Sequence, residues 1–521
     1  MPDPPAAAPP SERRRFVRNA LTSYGQTGLN AVAALLLTPY LFRRLGIGGF
    51  GTWSVMLTLT TVFTMIEVGF AAGPTKFIAE HRAKQDRGEV ESVISAAVTI
   101  MGALGFLALG VSAVIGLLAS GLAAEGDHDA FRTGMLILGA AYLVRFPLVA
   151  YGAVLTGYQR YDLFNLGGAV TVFGSTVGAV VAVEAGGGVL GVAVAYGIAS
   201  VVGGACYAVL AARLDPDLRL RPWPSDRDAR RRIFGFSSFT LLADSMVLIG
   251  ARLDTVVIAA IRSASAAAPF AAASKLNSAV QSITLPTMNL LLPMVSELDA
   301  RRRRGEIVRR LVLATRVVLQ VTTPVALAIA FFSTDIVDVW LGNDAPSVTA
   351  SIMTVLVLQS LMLSGVPAQK VLVGMGRARV VGLITSAEGL LNLAISIVLV
   401  TAYGAIGAAL GTLISSYLIG PANFPLACRA TGLPLGRFAR RSLVPAIVSS
   451  VPSAAVMLAV WLAFSPSFGR LLLGTFLGVG VAAVVGLLEL GPARALAEVR
   501  SELRRTRPDA ATAQLVAQDP V

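Results

Sequence analysis

The sequence predicts an all-α polytopic membrane protein with about fourteen transmembrane helices, arranged as two parallel six-helix bundles plus two C-terminal helices. Three observations carry this. The 521 residues are 55% hydrophobic and only 14% charged, with a mean hydropathy of +0.72, whereas soluble domains carry roughly 25% charged residues. Apolar runs of the ~20 residues that a spanning helix needs recur along the whole chain. The arginines cluster in alternate gaps between those runs.

Residues 1–18 begin as a Pro/Ala-rich stretch and read as a disordered cytoplasmic tail. Arg13, Arg14, Arg15 and Arg18 then precede an apolar stretch too long for a signal-peptide core, and no small-residue cleavage pattern follows. This predicts an uncleaved first span at 19–42. Further spans are expected at 52–75, 92–120, 133–156, 164–185 and 188–212, completing an N-terminal six-helix bundle over 19–212. The stretch 213–234 holds Pro216, Pro222 and Pro224 with Arg230, Arg231 and Arg232, the composition of a cytoplasmic linker. A C-terminal six-helix bundle over 235–427 follows, with spans at 235–260, 267–296, 311–332, 348–372, 380–401 and 405–427. Two additional transmembrane helices lie in 442–490, at 442–464 and 468–490, before a cytoplasmic tail at 491–521.

An even span count puts both termini on one side. With that side cytoplasmic, about 33 of the basic residues fall in inside segments and about 5 in outside loops. Losing one span would flip every later loop and destroy this asymmetry. The net charge of +13 is thus explained by topology, not by nucleic acid, and the chain is expected in a bacterial cytoplasmic membrane. The GC-rich codon bias implied by Arg far outnumbering Lys fits a bacterial source.

An internal repeat supports two equivalent bundles. Asp86-Arg87-Gly88-Glu89-Val90 follows the second span and Arg303-Arg304-Gly305-Glu306-Ile307 follows the eighth, with Gly88 and Gly305 lying 217 apart. Leu155-Thr156-Gly157 and Leu372-Val373-Gly374 share that offset. Gly188-Val189-Leu190-Gly191 and Gly404-Ala405-Ile406-Gly407 lie 216 apart. Six spans per repeat preserve orientation, so the halves are related by an axis along the membrane normal. Transporters built from such halves hold substrate between them and rock to alternate access.

Soluble catalytic apparatus is missing. There is no Gly-Lys dipeptide and so no Walker A loop. No Cys, His and carboxylate cluster has metal-ligand spacing. Cys206 and Cys428 do not make a disulfide framework, and His81 and His128 fall in loops on opposite sides. The outside loops are short, which argues against a membrane polymerase. The chain is expected to be no enzyme and to need no cofactor.

Ionisable residues inside spans are the candidate site, because a charge in hydrocarbon needs a cavity or a partner. Arg145 lies near the middle of the fourth span, followed by Pro147, and cannot shed its charge. Arg252 and Lys275 lie in the outer parts of the seventh and eighth. These three are the expected substrate-binding cations, since guanidinium forks suit phosphate oxygens. Glu67, Asp244, Asp254 and Glu388 are the expected ion-coupling or gating carboxylates. Structural alternatives stand beside each: an Arg252–Asp254 pair, Asp244 bonded within Ser237-Ser238-Thr240, and Glu67 bonded to Thr60, Thr61 and Thr64. Arg316 and Lys370 are close enough to the surface to snorkel.

The stretch from Thr38 to Gln85 resembles a known family. Pro39, then Leu45-Gly46-Ile47-Gly48-Gly49-Phe50-Gly51-Thr52-Trp53, and Glu67-Val68-Gly69-Phe70 are similar to the opening of bacterial polysaccharide flippases of the multidrug/oligosaccharidyl-lipid/polysaccharide exporter superfamily. Many members carry Asp where this chain has Glu67. Asp254, Ala273-Ser274-Lys275-Leu276, Pro286 and Pro293 extend the resemblance. It implies translocation of undecaprenyl-pyrophosphate-linked oligosaccharide from the inner to the outer leaflet, driven by H+ or Na+. The implied partners are the polyprenyl-pyrophosphate-linked glycan, membrane lipids and other polysaccharide assembly proteins. Three other functions compete: a cation-coupled multidrug antiporter of the same superfamily, a major-facilitator carrier, and a membrane polysaccharide polymerase.

Overall fold

This computed structural model describes residues 10–218, 227–235, 237, 253–289, 291–343 and 345–490. Secondary structure among them is helical throughout. Among the described residues, eleven helices are long and apolar enough to cross a membrane.

The first of these, α1 (Pro10–Ala83), contains both of the first two expected spans. They meet at Gly46, whose φ of 71° and ψ of 175° break the helix; a side chain would be strained there. The helix also begins at Pro10, inside the stretch expected to be a disordered tail. Helices α2 (Arg87–Leu118), α3 (His128–Val149) with α4 (Gly152–Gly157), α5 (Tyr161–Glu184) and α6 (Gly188–Leu214) complete the N-terminal half. Most of the expected seventh span lies outside the described residues, which resume with α7 (Asp254–Ile261).

Then come α8 (Ala264–Asn289), α9 (Leu291–Ala300), α10 (Arg304–Phe331) and the short α11 (Ser333–Trp340). The remaining spans of this half are α12 (Val348–Gln359) with α13 (Val366–Gly374), α14 (Ala378–Tyr403), and α15 (Ala405–Ile419) with α16 (Asn423–Thr431). The pair α17 (Leu435–Ala463) and α18 (Phe468–Leu490) ends the described chain, so the tail expected at 491–521 lies outside it. The helix α8, expected as a span, is absent from the eleven apolar ones. It carries Ser274, Lys275, Asn277, Ser278 and Gln281, the residues that line a cavity.

The repeat seen in the sequence recurs as turn geometry. Gln85 and Arg302, 217 apart, have φ of 58° and 56°. Gln159 and Gly376, again 217 apart, have φ of 57° and 77°. Each is the left-handed residue of a Schellman turn: Asp86 N–H reaches His81 O, Arg160 N–H reaches Leu155 O, Arg303 N–H reaches Leu298 O and Arg377 N–H reaches Leu372 O. Gly188 and Gly404, 216 apart, are also left-handed. Even the break at Gly46 has its counterpart 217 residues on, at Ser263 between α7 and α8.

Packing divides along the same lines. Both halves contribute to one hydrophobic core, in which Phe42, Phe50 and Trp53 of α1 join Phe270 and Val280 of α8 and Met353 of α12. Toward the Arg-rich loops the cores separate. One belongs to the N-terminal half, with Phe70, Ile78, Tyr142 and Phe146; the other to the C-terminal half, with Leu311, Leu372, Phe424 and Phe438. The described part of the expected linker is not a free tether: Leu218, Ala229 and Ile233 are buried in the N-terminal core. Just beyond it, Ser237 Oγ donates to Phe70 O at 3.1 Å.

Candidate functional site

Below the shared core, a cavity of about 510 Å³ opens between α1 and the C-terminal half. Each wall is the polar stripe of an amphipathic span. On α1 it is Ser54, Thr58 and Thr61; on α8, Ser274, Ser278 and Gln281; on α14, Thr385, Glu388 and Asn392; on α15, Thr412, Ser415 and Ser416. These spacings of three, four and seven put each set on one helix face. Gln359 of α12 and Asp254 of α7 close the ring, and seventeen of the 22 lining residues have polar side chains.

Three of the expected site residues meet here: Asp254, Lys275 and Glu388. Asp254 is 5% exposed. It accepts from Thr412 Oγ1 at 3.2 Å, and Asn392, which shares the lining, accepts from Ser396 Oγ at its Oδ1 at 3.2 Å. Its position in the first turn of α7 lets the helix N-terminus favour its charge. Glu388 accepts from Ser416 Oγ at 2.7 Å, and Ser416 Oγ in turn accepts from Gln359 Nε2 at 3.2 Å. Behind the lining, the buried Ser360 Oγ donates to Asn277 Oδ1 at 2.5 Å. The described lining thus carries two carboxylates, one ammonium and a dense set of neutral donors and acceptors.

The other two described residues form a separate site within the N-terminal half. Arg145 of α3 holds Glu67 of α1 through both carboxylate oxygens, Nε to Oε2 and Nη2 to Oε1, each at 3.0 Å. Its Nη1 donates to Ser200 O of α6 at 2.9 Å. Both side chains are 12% exposed, and neither lines the cavity. The threonines weighed as Glu67 partners bond elsewhere: Thr60 and Thr61 to Leu57 O, Thr64 to the Tyr142 hydroxyl. Arg145 and Lys275, expected to share one cationic cavity, therefore sit in different places. Arg252 and Asp244 lie outside the described residues.

Reading only ionisable residues missed most of the cavity. Its neutral lining was legible as Ser, Thr, Asn and Gln recurring at helical spacing inside spans. It also missed a buried ion pair between Asp335 of α11 and Arg470 of α18, at 2.5 Å and with side chains 0% and 5% exposed. Asp335 falls in the loop expected between the ninth and tenth spans, and Arg470 in the first turn of the expected last span.

The family model described as polysaccharide biosynthesis protein matches residues 16–299. No curated protein sequence matches the chain. Among solved structures, the lipid II flippase MurJ in an inward closed conformation superposes with a TM-score of 0.72 at 13% identity, covering 91% of this chain and 99% of that one. An inward-facing multidrug resistance MATE family transporter of the MOP superfamily gives 0.68 at 16% identity, covering 78% and 94%. An outward-facing MATE family transporter gives 0.56 at 13%, covering 80% and 95%. At these identities the likeness is one of fold.

Proposed function

Because the chain belongs to the polysaccharide biosynthesis protein family, we propose that it flips an undecaprenyl-pyrophosphate-linked oligosaccharide from the inner to the outer leaflet. The observation that carries this reading is the lining of the cavity. Seventeen polar side chains among 22 offer a sugar head group the alternating donors and acceptors it needs. A lipophilic cation would be served by the mostly apolar and aromatic walls usual in small-molecule sites, and Phe270 is the one aromatic residue in the described lining. The multidrug antiporter reading is weaker on this ground.

In this account the Arg-rich end faces the cytoplasm, the side that basic loops favour, in a bacterial inner membrane with both termini inside. The shared core then closes the outer side, and the glycan enters where the two half-cores are separate. The polyprenyl tail stays in lipid while the head crosses a hydrocarbon layer about 30 Å thick. Lys275 meets an anionic group of the head, and Arg252 is proposed to join it. Asp254 and Glu388 carry the coupling H+ or Na+, with Asp244 proposed as a further gating carboxylate. Arg145 and Glu67 enter as a mutually neutralised pair that holds α1, α3 and α6 together. The Arg145 fork is already filled by Glu67 and Ser200.

Two outcomes are expected. Purified protein in lipid nanodiscs should be stabilised by lipid-linked oligosaccharide, by about 2.7 kcal/mol at a hundredfold excess over Kd, and not by cationic dyes. Stabilisation by dyes alone would favour the drug antiporter. Asp254→Asn should keep that ligand-induced stabilisation yet abolish the acceleration of flipping by an imposed H+ or Na+ gradient. A variant still driven by the gradient would remove Asp254 from the coupling role.

A further inference from the structure

The end of the molecule opposite the Arg-rich loops is held shut by contacts between residues that neither the cavity nor the ion pairs use. Arg43, near the end of the first span in α1, reaches across to the C-terminal half. Its Nε donates to Leu341 O, and its Nη2 donates to Val339 O and Trp340 O, all at 3.1 Å. These are the terminal carbonyls of α11, where a helix carries partial negative charge and favours a cation. Trp340 returns the contact: its Nε1 donates to Leu35 O of α1 at 2.7 Å. The neighbouring Arg44 does the opposite. It pairs with Glu184 at 2.8 Å, inside its own half.

Just past the break at Gly46, the same seam becomes a contact of bare backbones. A Cβ on Gly51 would lie 2.0 Å from Ala264 O at the start of α8. Only glycine allows α1 to approach α8 this closely.

We propose that Arg43 and Trp340 form a latch joining the two halves on the outer side, and that releasing it is a required step in opening the cavity to that side. The latch is built for release. Arg43 is exposed, so water replaces its carbonyl partners when it lets go. The contact is electrostatic and directional, whereas the shared apolar core beneath it is not. Arg43 acts through the position of the halves and touches no substrate. The proposal rests on the reading that the two halves alternate access, and it is tested without measuring transport.

The test places a cysteine in the cavity, Leu57→Cys, in a chain carrying Cys206→Ser and Cys428→Ala. A membrane-impermeant maleimide is added outside intact cells. Arg43→Gln is expected to speed labelling about fivefold, the population shift available from losing a helix-end charge. Gly51→Ala should do the same by wedging α1 from α8, and Arg44→Gln should leave the rate unchanged. Unchanged labelling in both Arg43→Gln and Gly51→Ala, or an equal rise in Arg44→Gln, overturns the latch. A rise seen only from the opposite face, in inside-out vesicles, also overturns it. Flipping assayed in parallel keeps the two readings apart: faster labelling in a protein that moves no glycan would sink the transport reading and leave the latch standing.

Discussion

Arg145→Ala is expected to destabilise the protein by about 3–5 kcal/mol, the usual cost of removing one partner of a buried ion pair. The substitution strands the Glu67 carboxylate at 12% exposure and leaves Ser200 O without the Arg145 donor. Glu67→Ala should cost about as much, because a guanidinium cannot escape by losing its proton. Replacing both residues together with Leu and Met should recover much of the loss, since no unpaired charge remains. Thermal unfolding in detergent, with cellular abundance as a second readout, checks this order. A different pattern would be informative. Full stability with lost glycan binding in Arg145→Ala would mean that Arg145 contacts the head group after all.

The second large effect is expected at the junction of the C-terminal pair. Arg470 Nη2 and Nε both donate to Asp335 Oδ2, at 2.5 and 3.2 Å. Its Nη1 donates to Trp461 O and Phe464 O at 3.4 and 3.2 Å, closing the end of α17. Asp335 Oδ1 accepts from Ser467 N–H at 2.9 Å. One pair thus ties α11 to α17, α18 and the turn between them. Arg470→Met leaves Asp335 buried and uncompensated, again worth about 3–5 kcal/mol. Because Phe332 and Met457 with Ala328 and Val460 form a small cluster of their own at this end, while Phe438 anchors the other end of α17 in the C-terminal core, the loss should be confined to this helix pair. Hydrogen exchange is expected to accelerate across 435–490 while α2 to α6 stay protected. Uniform loss of protection would show that the pair supports the whole fold and not this corner alone.

Hydropathy and arginine placement made the helical order of the chain legible, and the 217-residue offset read in the sequence recurs between the left-handed residues Gln85 and Arg302 and between Gln159 and Gly376. What periodicity does not carry is which helix faces meet. Glu67 and Arg145 are 78 residues apart on different helices, so their pairing depends on how α1 and α3 are rotated against each other. The same holds for Asp335 with Arg470 and for Arg43 with the α11 carbonyls, which are backbone atoms and leave no trace in composition. The Gly46 break was expected as a loop between two spans. It is instead a single-residue kink inside one continuous helix, α1. The helix α8 falls short of the apolarity of the eleven candidate spans for the reason that makes it important: its polar face lines the cavity.

What crosses the membrane decides the protein's function. In cells depleted of this protein, the sidedness of lipid-linked oligosaccharide is the decisive quantity, read by protection of the glycan from an impermeant modifying enzyme added outside. Accumulation of protected glycan on the cytoplasmic leaflet, with loss of surface polysaccharide, is the predicted result. Unchanged glycan sidedness, accompanied by increased retention of cationic dyes, would contradict it.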